Sequence, residues 1–133
     1  MAMAEPGIVI VEDDPAINEA LVMILTKSGY SVRSFITAEA YEAATSLRAD
    51  AYIIDRQLRG SDGLDLCRRL KAHPATSYIP VIIMSATPEA RQYAQEAGGD
   101  YFLEKPFSKK QLLTVLERVI NSSRTQVSEL SNE

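Results

Sequence analysis

The sequence predicts a doubly wound α/β domain, and three observations predict it. Short apolar runs recur along the chain: Ile8-Val9-Ile10-Val11, Ala51-Tyr52-Ile53-Ile54, Val81-Ile82-Ile83-Met84 and the shorter Tyr101-Phe102-Leu103. Runs without polar alternation fit strands covered on both faces, the habit of parallel sheets. Between the runs lie amphipathic stretches with recognisable helix ends, and parallel neighbours need a right-handed crossover that a helix supplies. Finally, 133 residues with 46% hydrophobic and 24% charged side chains suffice for one well-buried core but not for two full domains.

The elements follow in chain order. After the first strand, Asp14 caps a helix with Pro15 in its first turn, and Ile17, Leu21, Ile24 and Leu25 form a stripe that closes at Gly29. Ser31-Val32-Arg33-Ser34-Phe35 alternates, which predicts an edge strand with one face wetter than in the other four. Thr37 caps a second helix through about Leu47, Gly63 to Ala72 form a short third, and Thr87-Pro88 begin a fourth that ends at Gly98. Ser108 and Gln111 have capping-box spacing at the start of the fifth, whose Leu112, Leu116, Val119 and Ile120 face the sheet. No internal repeat is present.

Composition excludes several classes. Cys67 is the single cysteine, so no intramolecular disulfide forms and a reducing compartment, the cytoplasm, is expected. No apolar run approaches the roughly 18 residues of a spanning helix, and no basic segment precedes an apolar one at the N-terminus. Fourteen Lys and Arg against 18 Asp and Glu leave a net charge of -4, the wrong sign for a domain that binds nucleic acid by itself. Cys67 is expected to pack on the third helix, and His73, the lone histidine, to lie at the surface.

Doubly wound sheets bind ligands outside the carboxyl ends of their strands. Glu12 and Asp13 follow the first strand, Asp55 and Ser85 end the third and fourth, and Lys105 lies just past the fifth, so all five converge on one edge. Three carboxylates within several ångströms repel by about 4 kcal/mol per close pair at an effective dielectric near 20, and Lys105 alone does not offset that. Hard oxygen ligands in a partly hydrated site favour magnesium, where calcium would want more protein oxygens. A carboxylate beside such an ion can attack a phosphoryl group, while Lys105 and the metal neutralise the transferring oxygens and Ser85 hydrogen-bonds one of them.

Val11-Glu12-Asp13-Asp14-Pro15, Ile53-Ile54-Asp55, Ile83-Met84-Ser85-Ala86 and Leu103-Glu104-Lys105-Pro106-Phe107 occur in the order and at the strand ends that make the chain resemble the receiver domain of two-component response regulators. The resemblance covers roughly residues 7–121, leaving 1–6 as an N-terminal extension and 122–133 as a polar tail or helical linker. It implies a flavodoxin-like (βα)5 fold with a five-stranded parallel sheet of order 2-1-3-4-5. Asp55 would accept a phosphoryl group from phosphohistidine on a sensor kinase or phosphotransfer protein. Asp13 would hold Mg2+ directly, together with Asp55 and the backbone carbonyl of Gln57, and Glu12 would hold it through water. Ser85 would be the switch hydroxyl, Phe102 the switch aromatic, and the Lys105-Pro106 bond cis, a state uncommon even before proline. Gln57 and Thr87 would gate the attacking water and so the phosphoryl lifetime. Such a protein is not a conventional enzyme; it catalyses its own phosphorylation and dephosphorylation. Its output face, and one surface for a homodimer, would be the fourth helix, fifth strand and fifth helix.

Arg56 and Arg59 depart from the family pattern, and Phe102 stands where tyrosine or histidine is commoner. The two arginines are expected to border the pocket, where they either steer an acidic partner toward it or are solvated loop charges. Leu113, Leu116, Ile120, Ser123, Val127 and Leu130 are spaced as in a coiled-coil seam, so the fifth helix either runs on, to dimerise or to reach an output domain, or frays. The Met1-Ala2-Met3 start makes truncation of a longer regulator, for example one that binds DNA through another domain, an alternative to a stand-alone receiver. A haloacid dehalogenase-type phosphohydrolase would need its nucleophile on the first strand with a second aspartate two residues on and a following apolar residue and threonine, and that set is absent. A flavin or nucleotide module would need a Gly- or Ser/Thr-rich phosphate loop where three acids stand. A receiver-shaped module that is never phosphorylated is the remaining rival.

Overall fold

The computed structural model describes residues 5–44 and 48–131, with side chains as far as residue 122. Five long strands, β1 (Gly7–Val11), β2 (Ser31–Phe35), β3 (Ala51–Asp55), β4 (Val81–Ser85) and β5 (Tyr101–Glu104), form one parallel sheet. In this numbering, which leaves out the two-residue strands of a small 57–62 hairpin, its order is β2-β1-β3-β4-β5, the flavodoxin-like order expected from the sequence. The connecting helices are α1 (Pro15–Lys27), α2 (Ala38–Ala43), α3 (Gly63–Ala72), α4 (Ala90–Glu96) and α5 (Lys109–Ser131).

The sheet sorts its side chains by strand parity. Val9, Val11, Tyr52, Ile54, Val81 and Ile83 meet Ala38 of α2, Leu64, Leu66 and Leu70 of α3 and Ala94 of α4. Ile8, Ile10, Ile53, Ile82, Met84 and Leu103 meet Leu21 and Leu25 of α1 and Leu112, Leu116, Val119 and Ile120 of α5 on the other face. Covered on both sides, β1, β3 and β4 have no polar face, and each fully buried Val, Leu or Ile contributes roughly 1.5–3 kcal/mol. Cys67 is buried on the α3 side, and His73 is exposed beyond that helix.

Local chemistry sets most helix ends. Asp14 accepts from the N–H groups of Ala16 and Ile17 at 2.9 and 3.2 Å, and Ser108 and Gln111 exchange reciprocal bonds of 2.8 and 3.0 Å. Four expectations need correction. The fourth helix starts at Ala90, since Thr87 and Pro88 spend their carbonyls on a turn to Ala90 and Arg91. The second helix ends at Ala43, short of Leu47, which lies outside the described residues. β5 is half-exposed at Tyr101 and Phe102 because it forms the second edge of the sheet. Leu116 and Ile120 are buried against the sheet, which removes them from any exposed coiled-coil seam; α5 does run on as helical backbone to Ser131. The side chains of Ser123, Val127 and Leu130, like Met1-Ala2-Met3, lie outside the described residues. No helix among the described residues is long and apolar enough to cross a membrane.

Candidate functional site

Strand register brings the charged residues together. Val11 lies opposite Ile54, so Glu12, one residue past β1, is level with Asp55 at the end of β3. Asp55 lies opposite Met84, and Ser85 closes β4 beside it. Ser85 in turn faces Glu104, which delivers Lys105 to the same edge; the Lys105 N–H donates to the Ser85 carbonyl at 2.8 Å. One carboxylate oxygen from each of Glu12, Asp13 and Asp55 lies within 4.8 Å of the other two. Lys105 Nζ donates to Glu12 Oε1 at 2.8 Å and to Asp55 Oδ2 at 2.7 Å. Asp55 Oδ1 accepts from the Gln57 N–H at 3.1 Å, and Ser85 Oγ accepts from the Thr87 N–H at 3.1 Å. Asp13, Asp55, Gln57, Ser85, Thr87 and Lys105 line one cavity of about 420 Å³.

The electrostatics of this cavity show a shortage of positive charge. Burial, reinforced by the neighbouring Asp55 carboxylate, pushes the Glu12 carboxyl up to about 8 against the opposing pull of Lys105. Burial draws the Lys105 ammonium down, but its bonds to Asp55 and Glu12 outweigh that and move it above its ordinary value. Glu12 Oε2 is buried with no hydrogen-bond partner. A wholly buried carboxyl with an orphaned oxygen, beside two further carboxylates, fits a divalent cation, and the all-oxygen donor set with solvent access fits magnesium.

Among the other residues singled out from the sequence, Phe102 lies apart from this cavity, half-buried at the β5 edge beneath the Arg91 guanidinium, 4.9 Å from its ring centroid. The Lys105-Pro106 bond is cis. Of the two loop arginines only Arg59 reaches the cavity; Arg56 turns its guanidinium over the Tyr93 ring of α4 at 5.9 Å, which corrects the expectation that both border the pocket. Sequence reasoning missed Asn18, whose buried amide donates to the carbonyls of Glu12 and Phe35 at 3.0 and 3.2 Å and fixes the turn that carries the acids. Its position three residues before Leu21 and seven before Leu25 puts it on the buried stripe, which is the signal that would have found it. Gly63 was also missed: a Cβ there would stand 2.0 Å from the Asp55 carbonyl oxygen.

Residues 8–117 match the family model described as the response regulator receiver domain. The transcriptional regulatory protein GltR of Pseudomonas aeruginosa is 33% identical over 91% of this chain and 52% of its own length. A response regulator receiver domain protein, CheY-like, from Methanospirillum hungatei has a TM-score of 0.82 at 26% identity, covering 92% of this chain and 98% of that one. The signal receiver domain of a signal transduction histidine kinase from Syntrophus aciditrophicus has a TM-score of 0.80 at 32% identity, covering 88% and 91%. The chain spans about half the length of the curated relatives it matches. Parallel order, acidic strand ends and the matched family model together place the chain in the response regulator receiver family.

Proposed function

We propose that Asp55 accepts a phosphoryl group from phosphohistidine on a histidine kinase or phosphotransfer protein, within a two-component phosphorelay. Receiver domains as a family bind Mg2+ at an acidic pocket and interact with such donors. The observation that carries the assignment to Asp55 is its carboxylate at the end of β3, lining an open cavity and held on Oδ2 by Lys105 and on Oδ1 by the Gln57 N–H.

An Asp55 oxygen attacks phosphorus while the bond from phosphorus to the imidazole nitrogen breaks, and its electron pair leaves with the imidazole. Lys105, charged at neutral pH, offsets the negative charge that spreads over the phosphoryl oxygens. Magnesium held by Asp13, Asp55 and the Gln57 carbonyl, with Glu12 acting through water, would supply further positive charge there. The Ser85 oxygen already accepts from Thr87, which leaves its hydrogen to donate to the product. Gln57 and Thr87 flank the same cavity and control how water reaches the acyl phosphate. Phosphorylation then biases Phe102 and the face of α4, β5 and α5, also the homodimer surface on this reading. The domain spans residues 7–121, works in the cytoplasm and binds neither nucleic acid nor membrane itself. A second reading, the receiver of a longer transcriptional regulator, is favoured by relatives of that name and about twice this length.

Intact mass after incubation with acetyl phosphate tests the proposal. One added phosphoryl group is expected in the wild type with magnesium, and none without magnesium or in Asp55→Asn. An unlabelled wild type, under conditions that label another receiver, would overturn it in favour of a module that works by interaction alone.

A further inference from the structure

The cation partners within the acidic cavity are unequal. Lys105 holds Glu12 and Asp55 through short, largely buried bonds of 2.8 and 2.7 Å. Asp13 has a looser partner: Arg59 Nε stands 3.9 Å from Asp13 Oδ2, beyond hydrogen-bond range, on a side chain 75% exposed. Arg56, the other cation of this loop, is turned away onto Tyr93. Among the described residues Arg59 is thus the cation that faces Asp13, and its guanidinium can leave for water at little cost. A divalent ion that takes Asp13 as a ligand meets the charge of this guanidinium beside the same carboxylate.

Resting on the magnesium reading of this pocket, we infer that Arg59 is an exchangeable counter-ion for Asp13 that competes with the incoming divalent cation and sets the magnesium concentration at which the pocket fills. The chemistry suits that task. Guanidinium stays charged at every accessible pH, so the competition does not lapse on mild alkalinisation as it would with histidine. It is monovalent and weakly hydrated, which lets a compact divalent ion win Asp13 once magnesium is abundant. The Arg59 half of the pair is exposed, so its strength falls with ionic strength. Arg59 acts on the metal site through Asp13 and is a positioning residue.

Calorimetric titration of the full chain with magnesium chloride, in the absence of any phosphodonor, reads this directly. Exposed ion pairs of this kind predict that Arg59→Gln binds magnesium about 1.5- to fivefold more tightly than the wild type at low ionic strength. The gap narrows near ~0.15 M salt, where charges are screened over about 8 Å. Arg59→Lys, which keeps the charge, stays near the wild type. Arg56→Gln changes the affinity by less than half as much as Arg59→Gln. Equal affinities for the wild type and Arg59→Gln, with binding lost in Asp13→Asn, would overturn the inference while leaving the metal site intact. An Arg56→Gln effect as large as that of Arg59→Gln would also overturn it, since net charge rather than the pair would then be responsible. Absence of magnesium binding in the wild type would remove the underlying reading itself.

Discussion

Individual side chains in this domain are tuned by what covers them. Phe102, half-buried at the sheet edge, lies under the Arg91 guanidinium, a contact worth about 0.5–1 kcal/mol at an exposed site, which any inward swing of the ring gives up. Cys67 shows the opposite case, complete enclosure. Its thiol donates weakly to the Ala97 carbonyl at 3.5 Å, and burial pushes its pKa from 9.0 up to about 11. Because the thiolate is the nucleophile, on the order of one folded molecule in a thousand carries a reactive sulfur at pH 8 even before access is counted. An aromatic disulfide reagent should therefore label Cys67 at once in guanidinium, and under native conditions only at the rate at which the chain opens. The linkage has a definite sign. A folded-state pKa above the unfolded value gives stability that is full below about pH 9 and is lost as pH rises through 11. Urea midpoints should fall across that window, and by less in Cys67→Ala. Rapid stoichiometric labelling of the native protein at pH 8 would contradict the enclosed thiol.

At the scale of elements, the seating of α3 decides where Asp55 sits. The Gly63 N–H donates to the Arg56 carbonyl at 2.7 Å, and Asp62 caps the helix through the Leu64 N–H at 2.9 Å. A methyl group at position 63 would stand 2.0 Å from the Asp55 carbonyl oxygen and 2.9 Å from its carbon, and these are backbone atoms that cannot rotate away. Gly63→Ala should therefore cost stability by about 1–3 kcal/mol, the range for overpacking, and, on the proposed reading of Asp55 as phosphoacceptor, slow its labelling by acetyl phosphate well beyond that loss. An unchanged urea midpoint would mean that the close approach is not a constraint. This contact also marks the limit of what the sequence discloses. Asp14-Pro15 and Ser108 with Gln111 are local signals, and the helix starts they predict are the ones found. Strand ends are nearly as legible, because parallel register alone carries Glu12, Asp55, Ser85 and Lys105 to one edge. Gly63 and the direction of Arg56 are tertiary facts: one depends on a carbonyl across the loop, the other on a tyrosine 37 positions away. The start of α4 escaped for a related reason, as Ser85 Oγ engages the Thr87 N–H and the turn delays the helix to Ala90.

Across the whole molecule, three central strands covered on both faces and two more exposed edge strands form a platform whose least favourable feature is collected at one edge. The fold brings Glu12, Asp13 and Asp55 within 4.8 Å and answers them with one well-bonded ammonium, so repulsion there opposes folding in the absence of a second cation. The unfolded chain separates those residues and escapes the repulsion. On the proposed reading magnesium binds the folded state alone, and mass action then stabilises the domain by about 2.7 kcal/mol at a hundred times the dissociation constant. For a domain between the sizes usually tabulated, that raises the melting temperature by roughly 5–15 °C. Melting curves in chelator and in excess magnesium should differ by that amount. Asp13→Asn should behave in two ways at once. At a pH above about 8, where Glu12 is ionised as well, removing one of three mutually repelling carboxylates raises the melting temperature in chelator, and removing a ligand abolishes the further rise with magnesium. Superimposable wild-type curves with and without magnesium would show that the edge bears its charge unaided, and the energetic case for the metal would fall with them.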